Sequence, residues 1–362
     1  MTAASRLPDD LTAEMLAMGH AARAAAAQLR DTTALQRTEA IREMARQIRK
    51  DAEAILTANR ADLAAAATRL TGPELDRLAL DPDRLEGLAA GVDAVAAIPD
   101  PVGQETARWQ RPNGLDFARV RAPIGVIAVI YESRPNVTAD AAALTLRSGN
   151  AVILRGGSEC LQTSLALHAA IVRALGIAGL PAGTVSMVPT ADRDAVGLLL
   201  TGLGGTVDLL IPRGGKSLVA RVQAEARVAV LGHLEGLNHV YVHASADPDI
   251  ARRVVLNSKM RRVSVCGSAE TLLIDARIAP EVLPLIGADL AAAGCALRGD
   301  GRARALLPGI ETAVDADWTT EYLAPILSIK IVASLDEAMD HIERYGSKHT
   351  DAIVTEHHGN AM

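Results

Sequence analysis

Aromatic residues are scarce in this chain of 362 residues, which contains one Phe, two Trp and four Tyr. Proteins that bind single-stranded nucleic acid stack the bases on aromatic side chains, so the shortage counts against that class. Positive charge is not in excess either, because 37 Lys and Arg are balanced by 43 Asp and Glu, for a net charge of −6. Binding to a phosphate backbone requires clustered positive charge. We therefore expect a small-molecule ligand and no nucleic acid.

Cysteine is rare as well, and Cys160, Cys266 and Cys295 form no C-x-x-C pair. The sequence thus indicates neither a zinc site nor a disulfide framework. His239 and His243 would share one face of a strand, but no third ligand has recognisable spacing. We predict no metal site.

Targeting and membrane signals are missing from the sequence. Asp9 and Asp10 stand where a signal peptide would need basic and then apolar residues. No run approaches the ~18 consecutive apolar residues of a membrane span. We expect a cytoplasmic protein without a membrane segment.

Apolar residues make up 49% of the chain, and at ~150 residues per domain the length suggests two domains. Residues 11–70 have helical spacing and predict two or three helices. From residue 123, short runs rich in Val and Ile alternate with helix-sized segments, which predicts a parallel, doubly wound sheet. The predicted strands are 125–130, 151–154, 185–188, 208–211 and 228–231, and a second α/β pattern has strands at 239–243, 271–275 and 326–332. Ligands bind such sheets at the carboxyl ends of the strands.

Two strand ends carry residues suited to a nucleotide, although neither a P-loop nor a G-x-G-x-x-G motif follows a predicted strand. Gly214 and Gly215 would let a diphosphate approach a helix N-terminus, with Arg213 or Lys216 adding charge; the alternative is a plain tight turn. Arg155 ends another strand, where a ribose or its 2′-phosphate would lie. A solvated arginine is the alternative there.

Cys266 lies before a predicted strand and is close in sequence to Lys259, Arg261 and Arg262. Nearby cations lower the pKa of a thiol and favour the nucleophilic thiolate. A cysteine between Val and Gly can equally be a small buried core residue. The residues alone leave both interpretations open.

Six segments stand out in combination. They are Ala-Pro-Ile-Gly-Val-Ile at 122–127, Tyr-Glu-Ser-Arg-Pro-Asn-Val-Thr at 131–138, Ser-Gly-Asn-Ala-Val-Ile-Leu-Arg-Gly-Gly at 148–157, Ile-Pro-Arg-Gly-Gly at 211–215, His-Val-Tyr-Val at 239–242 and Tyr-Gly-Ser-Lys-His-Thr-Asp-Ala-Ile at 345–353. Together they resemble the γ-glutamyl phosphate reductase family, a branch of the aldehyde dehydrogenase superfamily. The Glu-Ser-Arg-Pro-Asn run is specific to this branch.

The resemblance implies an α/β fold of the aldehyde dehydrogenase type. It comprises a Rossmann-type NADP-binding domain at 1–111 and 123–236, a small β-hairpin oligomerisation excursion at 112–122, and an α/β catalytic domain at 237–362. Family members continue through a Phe-Gly-Leu-Gly-Ala-Glu motif, so a further C-terminal part of the catalytic domain is expected beyond residue 362. A homo-oligomer is also expected.

The reaction implied is the NADPH-dependent reduction of L-glutamyl 5-phosphate to L-glutamate 5-semialdehyde and phosphate, in proline biosynthesis. Functional coupling to glutamate 5-kinase is expected with it. Cys266 matches the nucleophile that forms a thioester, and the Asn136 amide with the Cys266 backbone N–H matches the oxyanion hole. Glu321 matches the glutamate that holds the nicotinamide ribose, and Arg134 and Lys259 are candidates for the substrate carboxylate. The cofactor-binding strand ends match Arg155, Gly156, Gly157, Arg213, Gly214 and Gly215.

Two alternatives remain at this stage. Hydrolytic aldehyde dehydrogenases carry a general-base glutamate in Glu-Leu-Gly-Gly, whereas the matching stretch here reads His233-Leu234-Glu235-Gly236. An enzyme that releases its thioester to hydride or phosphate should exclude water, so we rank a hydrolytic dehydrogenase second. The other alternative is a catalytically silent, shortened paralogue.

Overall fold

The structure, a computed structural model, describes residues 9–362. The chain divides into two units, which we call unit 1 (Met1–Gly232) and unit 2 (His233–Met362). The boundary predicted after residue 236 falls just inside unit 2.

Unit 1 contains nine helices and seven strands among the residues that the structure describes. The helices are α1 Asp9–Leu29, α2 Ala34–Lys50, α3 Ala52–Ala66, α4 Gly72–Leu78, α5 Pro82–Ala97, α6 Val137–Arg147, α7 Leu161–Ile177, α8 Asp194–Leu200 and α9 Lys216–Glu225. The strands are β1 Glu105–Gln110, β2 Asp116–Val120, β3 Val126–Tyr131, β4 Ala151–Gly156, β5 Val185–Met187, β6 Leu209–Arg213 and β7 Ala229–Val230.

The main sheet of unit 1 has the strand order β5-β4-β3-β6-β7, and its pairs are parallel. Every residue of β3 and β4 is buried. Continuous apolar runs are typical of parallel strands covered on both faces, which explains why these two strands are visible in the sequence. The chain leaves β3 towards β4 on one side and later returns to β6 on the other. This reversal of direction creates a crevice at the carboxyl ends of the strands.

The helices of unit 1 bury the faces that their apolar spacing indicates. In α2, Ile41, Met44 and Ile48 are buried, and the helix packs on α5 and α7. The helical stretch Ser158–Ile177, which includes α7, is long and apolar enough to cross a membrane by length and composition. In this fold α7 packs against α2 and α3, so it serves as a core helix of unit 1.

The strands β1 and β2 form an antiparallel hairpin outside the main sheet. Trp109 and Phe117 stack on it with ring centroids 5.7 Å apart. The predicted excursion at 112–122 contains only β2. The earlier strand, Glu-Thr-Ala-Arg-Trp-Gln, is almost wholly exposed, so it lacks the apolar alternation that would reveal it.

Unit 2 has a six-stranded sheet with the order β11-β10-β12-β9-β8-β13, again with parallel pairs. Its strands are β8 Asn238–Val242, β9 Ala269–Asp275, β10 Ala296–Gly299, β11 Glu311–Thr312, β12 Ile326–Val332 and β13 Asp351–Val354. Its helices are α10 Pro248–Met260, α11 Ala279–Ala292, α12 Gly301–Leu306, α13 Leu335–Tyr345 and α14 His358–Ala361. The core lies under the central strands, where Val242, Leu272, Ile274 and Leu327 are fully buried.

Candidate active site

The three thiols of the chain differ in their accessibility. Cys266 lies in a turn directly before β9 and is partly exposed, whereas Cys160 and Cys295 are buried. Burial raises the pKa of Cys160 to about 12 and that of Cys295 to about 11. The thiolate is the nucleophilic form, so burial suppresses the reactive form of these two. Cys266 is the thiol that a substrate can reach.

The turn that holds Cys266 is fixed through its backbone. The buried Asn238 amide donates from Nδ2 to the carbonyl oxygens of Cys266 and Ser268, over 2.6 and 2.7 Å. Gly236 lies against the Cys266 carbonyl so closely that a Cβ atom there would overlap it. The Gly236 N–H in turn donates to Glu321 Oε1 over 2.9 Å. The segment that contains Gly236 and Asn238 therefore holds the turn in place. The role of Glu321 at the nicotinamide ribose stays a prediction.

Two histidines lie beside Cys266. One ligand atom from each of His233, Cys266 and His349 lies within 4.8 Å of the other two, and the imidazole centroids are 4.6 Å apart. The pair considered from the sequence has other partners: His239 Nδ1 is 2.9 Å from Asp351 Oδ1, and His243 Nδ1 is 2.9 Å from Ser245 Oγ. The histidines near the thiol are therefore not those that strand spacing singled out.

Lys259 forms a buried ion pair. Its side chain is fully buried, with Nζ 2.6 Å from Glu270 Oε2. Burial raises the pKa of Glu270 to about 7, although the Lys259 ammonium acts in the opposite direction. The charge of Lys259 is thus satisfied inside unit 2. This pairing counts against Lys259 as a group for the substrate carboxylate, which stays a prediction.

The predicted cofactor residues of unit 1 lie together at the carboxyl ends of neighbouring strands in the main sheet. Tyr131 at the end of β3 pairs with Gly156 on β4 and with Arg213 on β6. The segments 155–157 and 213–215 therefore flank the end of β3, at the strand-order reversal where open α/β sheets bind ligands.

The side chains at these strand ends fit a nicotinamide dinucleotide. Arg155 is buried, its Nη2 donates to the Ala191 carbonyl over 2.9 Å, and its Nε has no hydrogen-bond partner among the described residues. Burial lowers the pKa of Arg155. A buried cation with an unsatisfied donor is suited to an anionic oxygen.

The start of α9 already contacts a carboxylate. The Gly215 N–H donates to Glu132 Oε2 over 3.0 Å, and a Cβ atom at Gly214 would collide with Glu132 and Leu218. A helix N-terminus attracts anions, and here the Glu132 carboxylate meets one of its N–H groups. Glu132 was not among the predicted site residues, although it begins the Glu-Ser-Arg-Pro-Asn run.

Asn136 and Arg134 lie in the same run, where α6 begins. Asn136 Nδ2 is 2.9 Å from Asp140 Oδ2, and Arg134 Nη1 is 3.2 Å from the Glu132 carbonyl oxygen. Both side chains are partly exposed. The oxyanion role of Asn136 and the substrate role of Arg134 stay predictions.

Comparisons with known proteins identify the family of the chain. Residues 3–297 match the model of the aldehyde dehydrogenase family. Gamma-glutamyl phosphate reductase of Caulobacter sp. (strain K31) is 65% identical over 347 residues, which cover 96% of this chain and 83% of that protein.

Solved structures lead to the same family. The crystal structure of gamma-glutamyl phosphate reductase from Thermotoga maritima has a TM-score of 0.91 at 38% identity and covers 96% of this chain and 84% of that one. An engineered glycolyl-CoA reductase with bound NADP+ shares the fold at 18% identity, with a TM-score of 0.64, over 96% of this chain and 83% of that one. The chain belongs to the aldehyde dehydrogenase family and, within it, to the γ-glutamyl phosphate reductases.

Proposed function

We propose that the chain catalyses the reversible, NADP(H)-dependent reduction of L-glutamyl 5-phosphate to L-glutamate 5-semialdehyde and phosphate, through a thioester on Cys266. The observation that carries the proposal is the partly exposed Cys266 in its fixed turn, in a chain 65% identical to a gamma-glutamyl phosphate reductase.

The chemistry begins at the sulfur of Cys266. The thiolate attacks the γ-acyl carbon and forms a C–S bond, while the C–O bond to phosphate breaks and phosphate leaves with the electron pair and takes up a proton. Asn136 and the Cys266 backbone N–H are the proposed donors to the developing oxyanion. A bound NADPH supplies the hydride that reduces the thioester. Cleavage of the C–S bond then regenerates the thiolate and releases the aldehyde.

The nicotinamide cofactor follows from the family, and NADP(H) in particular is our proposal. Arg155 supports it, because a guanidinium can bind a 2′-phosphate through two parallel hydrogen bonds. The glycines before α9 allow a diphosphate to approach closely. The dissociation constants of NADPH and NADH test this proposal, with tighter binding of NADPH expected.

Hydrolytic aldehyde oxidation is the second candidate, and the stretch 233–236 disfavours it. Glu is replaced by His233 at the position of the general base that activates water. The assay is NADP+ reduction with L-glutamate 5-semialdehyde, with and without inorganic phosphate. We expect turnover only with phosphate, whereas turnover without it would assign the chain to the hydrolytic class.

Replacement of the nucleophile is the direct test of the mechanism. Cys266→Ala should lower turnover by at least ~10³-fold and leave NADPH binding measurable by titration. Cys295→Ala is the control, since that buried thiol is not proposed to react. Retained turnover in Cys266→Ala would exclude the thioester route. If the wild-type chain has no turnover and its Cys266 does not react with iodoacetamide near neutral pH, the silent paralogue is favoured instead.

The assembly of the enzyme is part of the same proposal. The hairpin of β1 and β2 exposes Trp109 and Phe117 at 41% each, which supports its proposed use in a homo-oligomer. Because acyl phosphates hydrolyse readily, we also propose functional coupling to glutamate 5-kinase, in the cytoplasm. Light scattering of the purified chain, alone and mixed with the kinase, measures both associations.

A further inference from the structure

The group of Cys266, His233 and His349, which we call the thiol–imidazole cluster, has the donor set of a metal site. One ligand atom from each residue lies within 4.8 Å of the other two. His233 is exposed and the other two residues are partly exposed, so ions in solution can reach the cluster. One thiolate and two imidazoles suit Zn²⁺, which prefers sulfur and nitrogen ligands.

The geometry requires only small adjustments. Zn²⁺ bound at about 2.0–2.3 Å in tetrahedral coordination places its ligand atoms roughly 3.3–3.8 Å from one another. Each pair of ligand atoms therefore has to approach by at most about 1.5 Å. All three residues lie outside helices and strands, so side-chain rotation can supply this movement.

One ring nitrogen of His349 is within hydrogen-bond distance of the next residue. Its Nδ1 is 2.8 Å from Thr350 Oγ1, and a hydrogen bond from one ring nitrogen is the usual support for a histidine that binds metal through the other. Three protein ligands leave one tetrahedral position for water or an anion.

We propose that Zn²⁺ binds reversibly to the thiol–imidazole cluster and inhibits the enzyme by occupying the sulfur of Cys266. The ion is an inhibitor here, not a resident cofactor. The inhibition by Zn²⁺ rests on the proposed function, because it requires that Cys266 attacks the substrate. The binding of Zn²⁺ to the cluster does not depend on that function. Spacing could not reveal this site, because its ligands lie at 233, 266 and 349, far apart in the sequence.

Direct binding to the metal-free full chain is measured first, by competition for Zn²⁺ with a chromophoric chelator. We expect one tightly bound ion per chain and slower iodoacetamide labelling of Cys266 when Zn²⁺ is present. Co²⁺ in place of Zn²⁺ should show a thiolate-to-cobalt charge-transfer band. His233→Ala and His349→Ala should each weaken binding by at least ~10-fold, since losing even an outer-shell partner costs that much. His358→Ala, an exposed histidine outside the cluster, should bind as the wild type does.

Two results would overturn the inference: Zn²⁺ binding that is equally tight in His233→Ala, His349→Ala and the wild type, or labelling of Cys266 that Zn²⁺ does not slow. In the activity assay, Zn²⁺ should inhibit the wild type, EDTA should restore turnover, and His349→Ala should require at least ~10-fold more Zn²⁺ for half inhibition. A chain that binds Zn²⁺ through the cluster but has no reductase activity contradicts the proposed function alone. An active reductase that does not bind Zn²⁺ contradicts this inference alone.

Discussion

Gly236 is the residue on which the position of the nucleophile depends most directly. Any side chain there would overlap the carbonyl group of Cys266. Gly236→Ala should therefore displace the turn and lower kcat by about 10–100-fold, since small misplacements of a reacting group are costly. Steady-state kinetics measure the effect.

Gly301→Ala is the matched control for this substitution, because a Cβ atom at position 301 meets nothing within 4 Å. Its kcat should equal that of the wild type. If Gly236→Ala is as active as Gly301→Ala, the turn tolerates displacement and the proposed support of Cys266 is wrong.

Residues that act through the backbone were harder to predict than the nucleophile. Cys266 is recognisable because cations lie near it in the sequence and because the family resemblance carried by other segments matches it to the nucleophile. Asn238 and Gly236 contact the Cys266 turn only because β8 pairs with β9, with Asn238 opposite Ala269. That register joins segments about thirty residues apart, and no local periodicity encodes it.

At the scale of the element, the N-terminus of α9 carries a carboxylate where a bound cofactor would place its diphosphate. The Glu132 carboxylate accepts the Gly215 N–H there, so it competes with an anionic diphosphate. Glu132→Gln removes the charge and should tighten NADPH binding by about 2–5-fold, which corresponds to about 0.4–1 kcal/mol. Isothermal titration at low ionic strength measures the change.

Glu225→Gln at the opposite end of α9 is the control for this charge removal. Glu225 is paired with Arg221 and exposed, so its loss should leave the affinity for NADPH unchanged. Weaker binding in Glu132→Gln would mean that the carboxylate assists the cofactor, contrary to the prediction.

Buried elements could be predicted from the sequence far better than exposed ones. The strands β3, β4 and β12 appear as runs of Val, Ile and Leu because both faces of a parallel sheet are covered. The strand β1 is mostly exposed, the four-residue strand β13 is half exposed, and β11 has only two residues. Strands this short or this exposed carry no clear apolar pattern of their own, so the sequence did not predict them.

At the scale of the whole molecule, the buried His341 in unit 2 makes the free energy of unfolding depend on pH. The residue is 3% exposed, and burial, with the nearby Lys330 charge, lowers its pKa from 6.5 to about 3. The unfolded chain therefore binds a proton below pH 6.5 that the folded chain does not. The free energy of unfolding should fall as the pH decreases from 6.5 towards 3, by up to about 1.4 kcal/mol per pH unit.

In the variant His341→Phe, the free energy of unfolding should decrease less steeply between pH 6.5 and 3 than in the wild type, whatever its absolute value. Urea unfolding followed by circular dichroism at several pH values measures the slope. His358→Phe, at an exposed position, should keep the wild-type slope. Identical slopes in His341→Phe and the wild type would show that other groups govern the acid sensitivity.

The scarcity of aromatic residues has an optical consequence. The two tryptophans lie in different units: Trp109 stacks on Phe117 in the exposed hairpin, and Trp318 is buried in unit 2 with its ring 5.3 Å from that of His341. The emission maxima of the two tryptophans should differ, because the indole of Trp109 is exposed to water and that of Trp318 is buried. A Trp109→Phe variant would leave Trp318 as the single tryptophan, located in the unit that carries Cys266.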